Sequence, residues 1–239
     1  MSKFLKLFSD GEFEEAKNYI DSLEHKWTVL IWPCNHGNLE ALKWVLENFP
    51  DIDVHAADER PFREACREGR FEVAKWLVER FPETNILANN FHAHECAIHN
   101  CYPEMGLWLL EKHYKKELAQ KFFISLCHRG KLETAKILLE KYPEIDIHVM
   151  TDDALFGAFC QRREEVVDWL AQTLKFSPNR TGDFFCHFMF QNRQSEAEFV
   201  LEKFPEITFD KDYLYRALCQ RGDIKTVRWF LEKFPDTNI

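Results

Sequence analysis

The segment from His92 to Cys101 is where side chains able to bind a metal are most concentrated. It reads His-Ala-His-Glu-Cys-Ala-Ile-His-Asn-Cys. His92, Cys96 and His99 stand at positions i, i+4 and i+7, which share one face of a helix, and imidazole and thiolate are zinc ligands. The segment has neither a Cys-x-x-Cys pair nor a His-Glu-x-x-His motif. Zinc binding is therefore a minor alternative, and no cofactor is predicted.

Motifs of the common catalytic sites do not occur in this sequence. There is no glycine-rich phosphate loop, no Gly-x-Ser-x-Gly elbow, no kinase signature and no deaminase His-x-Glu with Pro-Cys-x-x-Cys. The 40 acidic residues are spread along the chain, and no pair of them stands out as acid and base. The sequence predicts a protein that is not an enzyme and has no catalytic residues.

Basic side chains recur just ahead of a repeated glycine position. Cations at a helix C-terminus contribute ~0.3–1 kcal/mol each, which would explain the pattern without a ligand. The other interpretation is a groove for an acidic segment, because arginine binds carboxylates with two parallel hydrogen bonds. The candidate partner-binding residues are Arg63, Arg67, His99, His128, Arg129, Arg162, Arg216 and Arg221.

Cysteine and tryptophan each recur in a fixed place. A small apolar side chain fits between stacked helices, so the recurring cysteines are predicted to lie in the core. The tryptophans either pack on an adjacent unit or form a column that binds a partner, since tryptophan is common in interfaces. The residues are Cys34, Cys66, Cys127, Cys160 and Cys219, and Trp44, Trp76, Trp108, Trp169 and Trp229.

Charge and hydropathy restrict the partners. The net charge of −9 opposes binding to a phosphate backbone, so no nucleic acid is expected. No uncharged stretch approaches the ~18 apolar residues of a membrane span, and charged residues interrupt the start before a signal peptide can form. We therefore expect no membrane, reduced thiols and a cytoplasmic location.

The elements that would position these residues form an internal repeat. The segment from Phe62 to Leu77 recurs from Leu126 to Leu138 and from Leu218 to Phe230. Residues 1–25 are predicted to be an N-terminal capping repeat. The other repeats are centred on Gly37, Gly69, Cys101, Gly130, Arg163, Asn192 and Gly222, at intervals of 26 to 33 residues counted from Gly11. A fixed period of this length is typical of repeat architectures.

Each repeat has the pattern of two short helices joined by a glycine turn. Phe62, Ala65 and Cys66 lie at i, i+3 and i+4, and the spacing recurs after Gly69. Most units close on an aromatic residue and proline, which ends a helix because proline has no N–H to donate. About ten residues with little periodicity follow, which predicts an extended connection. Helices this short are marginal alone, so stacking must stabilise them.

The motif from Ala65 to Leu77, with Gly69 at its turn, resembles the ankyrin repeat. Asp53-Val54-His55-Ala56 resembles the finger that joins ankyrin units. The family's Thr-Pro-Leu-His opening is missing, and Phe-Pro replaces its usual Gly-Ala ending. The divergent pattern is similar to ankyrin proteins of giant viruses, protists and their intracellular bacteria. For such a source the resemblance implies the host cytoplasm.

The resemblance implies an all-α, ankyrin-type α-solenoid of about eight helix-turn-helix repeats, forming a single domain over residues 1–239. Its function would be non-catalytic binding of a protein partner, one with an acidic segment if the basic residues form a groove. The concave first-helix face and the fingers, at residues 55 to 60, 87 to 94, 149 to 154 and 208 to 214, would make the contacts. The alternatives are a self-assembling structural subunit and, less favoured, a metal-binding protein at His92–Cys101.

Overall fold

The computed structural model describes residues 3–145, 147–174 and 178–237. Every regular element in these residues is helical, which confirms the all-α class. A short 3-10 turn spans Lys26–Leu30. The α-helices are α1 (Lys3–Ser9), α2 (Phe13–Asp21), α3 (Ile31–His36), α4 (Leu39–Asn48), α5 (Ala56–Arg67), α6 (Phe71–Arg80), α7 (Ala88–Asn100), α8 (Pro103–Lys112), α9 (Lys116–Arg129), α10 (Leu132–Lys141), α11 (Ile147–Cys160), α12 (Glu164–Leu174), α13 (Pro178–Phe190), α14 (Gln194–Lys203), α15 (Lys211–Gln220) and α16 (Ile224–Lys233).

The chain divides into two compact units. Unit 1 runs from Met1 to Phe122 and unit 2 from Phe123 to Ile239, so the division falls inside α9. Within unit 1, the successive first helices α3, α5 and α7 contact one another, as ankyrin-type stacking requires. A single domain over residues 1–239 stays a prediction.

A left-handed residue links the two helices of each repeat. Its φ lies between 50° and 75°, which reverses the chain direction after the first helix. The residues are Gly11, Gly37, Gly69, Cys101, Gly130, Arg162, Asn192 and Gly222. In the repeat predicted to be centred on Arg163, the left-handed residue is Arg162, one position earlier. No glycine marks the left-handed position in that repeat.

Aromatic-proline pairs end the second helices as predicted. Phe49, Phe81, Tyr142, Phe204 and Phe234 leave the helical conformation, with φ between −134° and −126°. Each residue lies directly before a proline, which disfavours the helical region. Their own N–H groups still donate to the carbonyl oxygen four residues back, at 2.8 or 2.9 Å.

The connections differ from the predicted extended fingers. No strand occurs in the described residues, and the ranges proposed as fingers begin first helices. α5 opens with three residues in left-handed conformation, Ala57 to Glu59, and α7 opens in the same way with Asn89 to Phe91. The guanidinium of Arg63 stabilises the first turn by donating to the carbonyl oxygens of Asp58 (2.7 Å) and Ala57 (3.0 Å).

Small residues and aromatic rings fill the two cores. Cys34, Cys66 and Cys127 are fully buried, which confirms their predicted place between helices. Burial raises the pKa of the Cys127 thiol to about 12, so this thiol stays protonated. Cys160 is half-buried, and Cys219, in the final helix pair, is exposed, so the core prediction is wrong for Cys219.

The tryptophan column packs on the preceding repeat. All five tryptophans are half-buried. Trp44 lies 5.4 Å from Phe13, and Trp108 lies 5.7 Å from Phe71, measured between ring centroids. In both pairs the partner stands two residues after the left-handed residue of the preceding repeat. These contacts favour packing as the main role of Trp44 and Trp108.

Candidate functional site

The candidate zinc trio is brought together only in part. The Sγ atom of Cys96 lies 3.6 Å from Nδ1 of His92, one helical turn away on α7. Burial, and then the nearby charge of Arg63, lower the pKa of His92. Among the described residues, no three His, Cys, Asp or Glu side chains are arranged to hold a metal ion. His99 is exposed and does not complete a ligand set with His92 and Cys96.

His94, in the same segment, is a core residue. It is 2% exposed, and its Nε2 lies 3.3 Å from the carbonyl oxygen of Leu109 in α8. Burial holds the pKa of His94 below its ordinary value, which favours the neutral imidazole. Part of the local concentration of histidine therefore serves packing between α7 and α8.

The candidate basic residues of unit 1 are already engaged. Two N–H groups of the Arg63 guanidinium donate hydrogen bonds to carbonyl oxygens of the left-handed turn that opens α5. The Arg67 guanidinium lies 2.6 Å from the carboxylate of Glu64 and 3.0 Å from that of Glu68. Two glutamates thus offset the charge of Arg67, and the unit 1 part of the predicted set presents less positive charge than the sequence suggests.

In unit 2 the basic residues line two adjoining clefts. The larger, about 400 Å³, is lined by residues that include His128, Phe156 and Cys160. The smaller, about 270 Å³, includes Arg162, and both clefts include Arg129 and Arg163. Nε2 of His128 lies 2.8 Å from the carbonyl oxygen of Asp153, which fixes its imidazole against α11. We call these two clefts the unit 2 basic clefts.

In both units, a side chain of one repeat donates a hydrogen bond to the preceding repeat, a contact that we call the clasp. In each case the acceptor is the carbonyl oxygen two residues before a left-handed residue, and the donor comes from the next repeat. Carbonyl groups at a helix C-terminus lack helical partners, so these bonds satisfy them. The pairs are Arg70 with Asn35, Asn100 with Arg67, Arg163 with His128, Arg193 with Cys160, and Arg221 with Phe190.

One donor of the clasp was a predicted site residue. Other donors were not predicted from the sequence. Arg221 holds α13 by its hydrogen bond to Phe190, and Nε of Arg216 donates to the carbonyl oxygen of Asp212 within α15. Arg70 and Arg193 follow left-handed residues and were outside the predicted set. Their recurrence directly after the turn is the sequence signal that could have identified the clasp.

A buried carboxylate connects two repeats of unit 1 and was not predicted. Glu59 is 6% exposed, and both of its carboxylate oxygens lie 2.9 Å from Nδ1 of His55. One of them also accepts the backbone N–H of Asn85 at 3.0 Å. Glu83 lies 3.4 Å from the other imidazole nitrogen. This cluster joins the left-handed turn of α5 to the connection that precedes α7.

The cluster predicts a pH-dependent stability of unit 1. Burial lowers the pKa of His55, but the hydrogen bonds and charges of Glu59 and Glu83 outweigh burial and raise it above 6.5. Because the folded pKa exceeds the unfolded pKa, this stabilisation is full below pH 6.5 and is lost as the pH rises through the folded pKa. Thermal unfolding of the wild type and of His55→Gln, measured from about pH 5 to 8, should therefore converge as the pH rises. A difference in thermal stability between the two proteins that stays the same at every pH would contradict the prediction.

Comparison with known proteins identifies one segment. A family model described as ankyrin repeats (many copies) matches residues 30–78, which contain α3, α4 and α5 and most of α6. No curated protein matches the chain. Within the described residues, no helix combines the length and the apolar character needed to cross a membrane.

Proposed function

Because the chain carries repeats of the ankyrin family, which generally mediate protein–protein interaction, we propose that it binds a protein partner through the first-helix face of its repeats. The partner presents an acidic segment to the unit 2 basic clefts, where Arg129 and Arg162 receive its carboxylates. Binding, without a catalytic step, is the function. The observation that carries this proposal is the convergence of three arginines on two adjoining clefts.

The charge of these clefts supports an acidic partner, because their three arginines outnumber the two carboxylates, Glu164 and Glu165, that also line the smaller cleft. Arg162 and Arg163 donate to the backbone carbonyl oxygens of Ser195 and His128, each at 3.3 Å. A carbonyl oxygen orients a guanidinium and leaves its positive charge in place. Arg67 of unit 1, by contrast, lies between two carboxylates. We therefore assign the acidic segment to unit 2 and give Arg63, Arg67 and His99 a lesser part in binding.

Capture of the partner from the native host, identified by mass spectrometry, provides the ligand for the test. The double variant Arg129→Glu/Arg162→Glu should bind this partner at least tenfold more weakly, since truncating one side of a buried charge pair costs about 2–5 kcal/mol. Affinity of the wild type should also fall with added salt. Titration calorimetry at two ionic strengths measures both effects.

A matched variant controls for charge and fold. Lys225→Glu/Arg228→Glu changes the net charge by the same amount on exposed positions of α16. It should keep the affinity of the wild type. Thermal unfolding shows whether loss of the Arg162 contacts to Ser195 and Phe199 destabilises unit 2. Equal affinity of the folded Arg129→Glu/Arg162→Glu protein would refute the role of the clefts.

Charge and thiol chemistry support the proposed location and the proposed absence of a nucleic-acid partner. All eight cysteines are free, which suits a reducing compartment. The net charge of −9 opposes binding to nucleic acid. We place the protein in the cytoplasm, and in the host cytoplasm if it comes from a virus or an intracellular organism.

A further inference from the structure

A cleft of about 340 Å³ opens on the second-helix side of unit 1, between α4 and α6. The apolar side chains of Ile52 and Val54, which are 7% and 8% exposed, contribute to its lining from the connection. Trp76 and Phe81 also line it, with ring centroids 6.2 Å apart and ring planes at 85°. The volume lies near the lower end of the range for ligand pockets, ~300–1,000 Å³, and suits one or two side chains. We call it the Trp76 cleft.

Two cations of the lining are held over its aromatic rings. Nζ of Lys43 lies 5.7 Å from the centroid of Trp76, and the guanidinium carbon of Arg80 lies 5.6 Å from that of Phe81. Neither cation forms an ion pair with a described residue. Glu47 is the one carboxylate among the described lining residues. The cleft thus combines an apolar lining with an excess of positive charge.

We propose that the Trp76 cleft binds a peptide segment of a partner protein in which an aliphatic side chain is followed by a carboxylate. The aliphatic group packs on Ile52 and Val54 and against the indole of Trp76, where it removes apolar surface from water. The carboxylate lies between Lys43 and Arg80, whose guanidinium can donate two parallel hydrogen bonds. Both features of the cleft are then used by one short segment.

This site goes beyond the partner binding proposed above. Its helical lining residues come from second helices of unit 1, whereas the unit 2 basic clefts involve α9, α11 and α12. The lining also differs, because the Trp76 cleft has aliphatic and aromatic side chains beside its cations. A chain with both sites holds two peptide segments, either from one partner or from two.

Nuclear magnetic resonance of the full-length, nitrogen-15-labelled protein tests the proposal. The probe is the capped peptide Leu-Leu-Asp-Asp, with Leu-Leu-Asn-Asn and Ser-Ser-Asp-Asp as matched peptides. The indole N–H signal of Trp76 is assigned with the variant Trp76→Phe. We expect a saturable shift of this signal at millimolar Leu-Leu-Asp-Asp and at least fivefold weaker binding of either matched peptide.

Charge reversal separates the cleft from the rest of the surface. Lys43→Glu/Arg80→Glu should weaken binding of Leu-Leu-Asp-Asp at least tenfold. Lys6→Glu/Lys112→Glu, two exposed positions of unit 1 outside the cleft, should keep it. Arg129→Glu/Arg162→Glu should keep it as well, so failure of this site and failure of the unit 2 clefts are distinguishable.

Three results would overturn the proposal. The first is the absence of a saturable Trp76 shift with Leu-Leu-Asp-Asp at millimolar concentration. The second is equal affinity for Leu-Leu-Asn-Asn, which would remove the role of Lys43 and Arg80. The third is an equal shift from inorganic phosphate alone, which would indicate an anion contact without recognition of the aliphatic side chain.

Discussion

Replacing Phe159 by alanine should lower the free energy of unfolding of unit 2 by about 3–5 kcal/mol, the usual cost of removing a buried phenylalanine ring. Phe159, in α11, is fully buried. Its ring centroid lies 5.5 Å from that of Phe199 and 5.9 Å from that of Phe204, with planes at 76° and 62°. Phe184 and Phe188 lie at 6.2 and 6.4 Å. The substitution therefore opens a cavity where rings from three helices and a helix end meet.

The matched control is Tyr213→Ala, which removes an aromatic ring from the same unit at a position 61% exposed. The free energy should change by less than about 1 kcal/mol, because surface substitutions away from special features are nearly neutral. Guanidinium titration followed by circular dichroism measures both variants. Equal losses for Phe159→Ala and Tyr213→Ala would show that the aromatic cluster is not the core of unit 2.

Local signals allowed much of the fold to be predicted. Helical spacing of apolar residues, glycine at the turn and proline after Phe49 or Phe81 act within a few residues of the chain. Each of them restricts backbone conformation directly, so the helix pairs and their ends agree with the structure. The all-α class followed from repetition of these local signals, since repeats too short to be stable alone must stack.

The left-handed positions without glycine could not be located in the same way. Arg162 has a φ of 50°, and the three residues from Ala57 to Glu59 have φ from 53° to 60°. Non-glycine residues pay roughly 1–2 kcal/mol each for this conformation, so sequence alone argues against it. Contacts from elsewhere stabilise it, such as Arg63 at the carbonyl oxygens of the turn. The order of residues along the chain does not show such contacts.

The basic residues show how much of a binding site can be predicted from the sequence. Recurrence before the turn identified Arg67, Arg129 and Arg162 as a set, because side-chain type and register are properties of the sequence. The groups with which these side chains form ion pairs or hydrogen bonds depend on the fold. Arg67 forms ion pairs with carboxylates and Arg162 donates a hydrogen bond to a carbonyl oxygen, a difference that the sequence does not show. The sequence therefore predicted the candidates and could not rank them.

Gly182→Ala should destabilise unit 2 by about 2–3 kcal/mol, the upper part of the range for overpacked sites. Helix propensity alone predicts the opposite, since alanine is better than glycine in a helix by about 1 kcal/mol. A Cβ atom at Gly182, in α13, would overlap the backbone carbonyl oxygen of Thr208. Backbone cannot rotate away as a side chain can, so the connection before α15 must move.

Movement of Thr208 would also displace its neighbour Phe209, whose ring lies 4.8 Å from that of Phe185 and 5.2 Å from that of Phe234. Gly222→Ala isolates backbone strain, because Gly222 has a φ of 73° and open space around the added atom. This control should cost about 1 kcal/mol. Guanidinium titration of both variants decides between contact and propensity. Stabilisation by Gly182→Ala would mean that α13 and the residue 208 backbone are not in the close contact on which the packing of unit 2 depends.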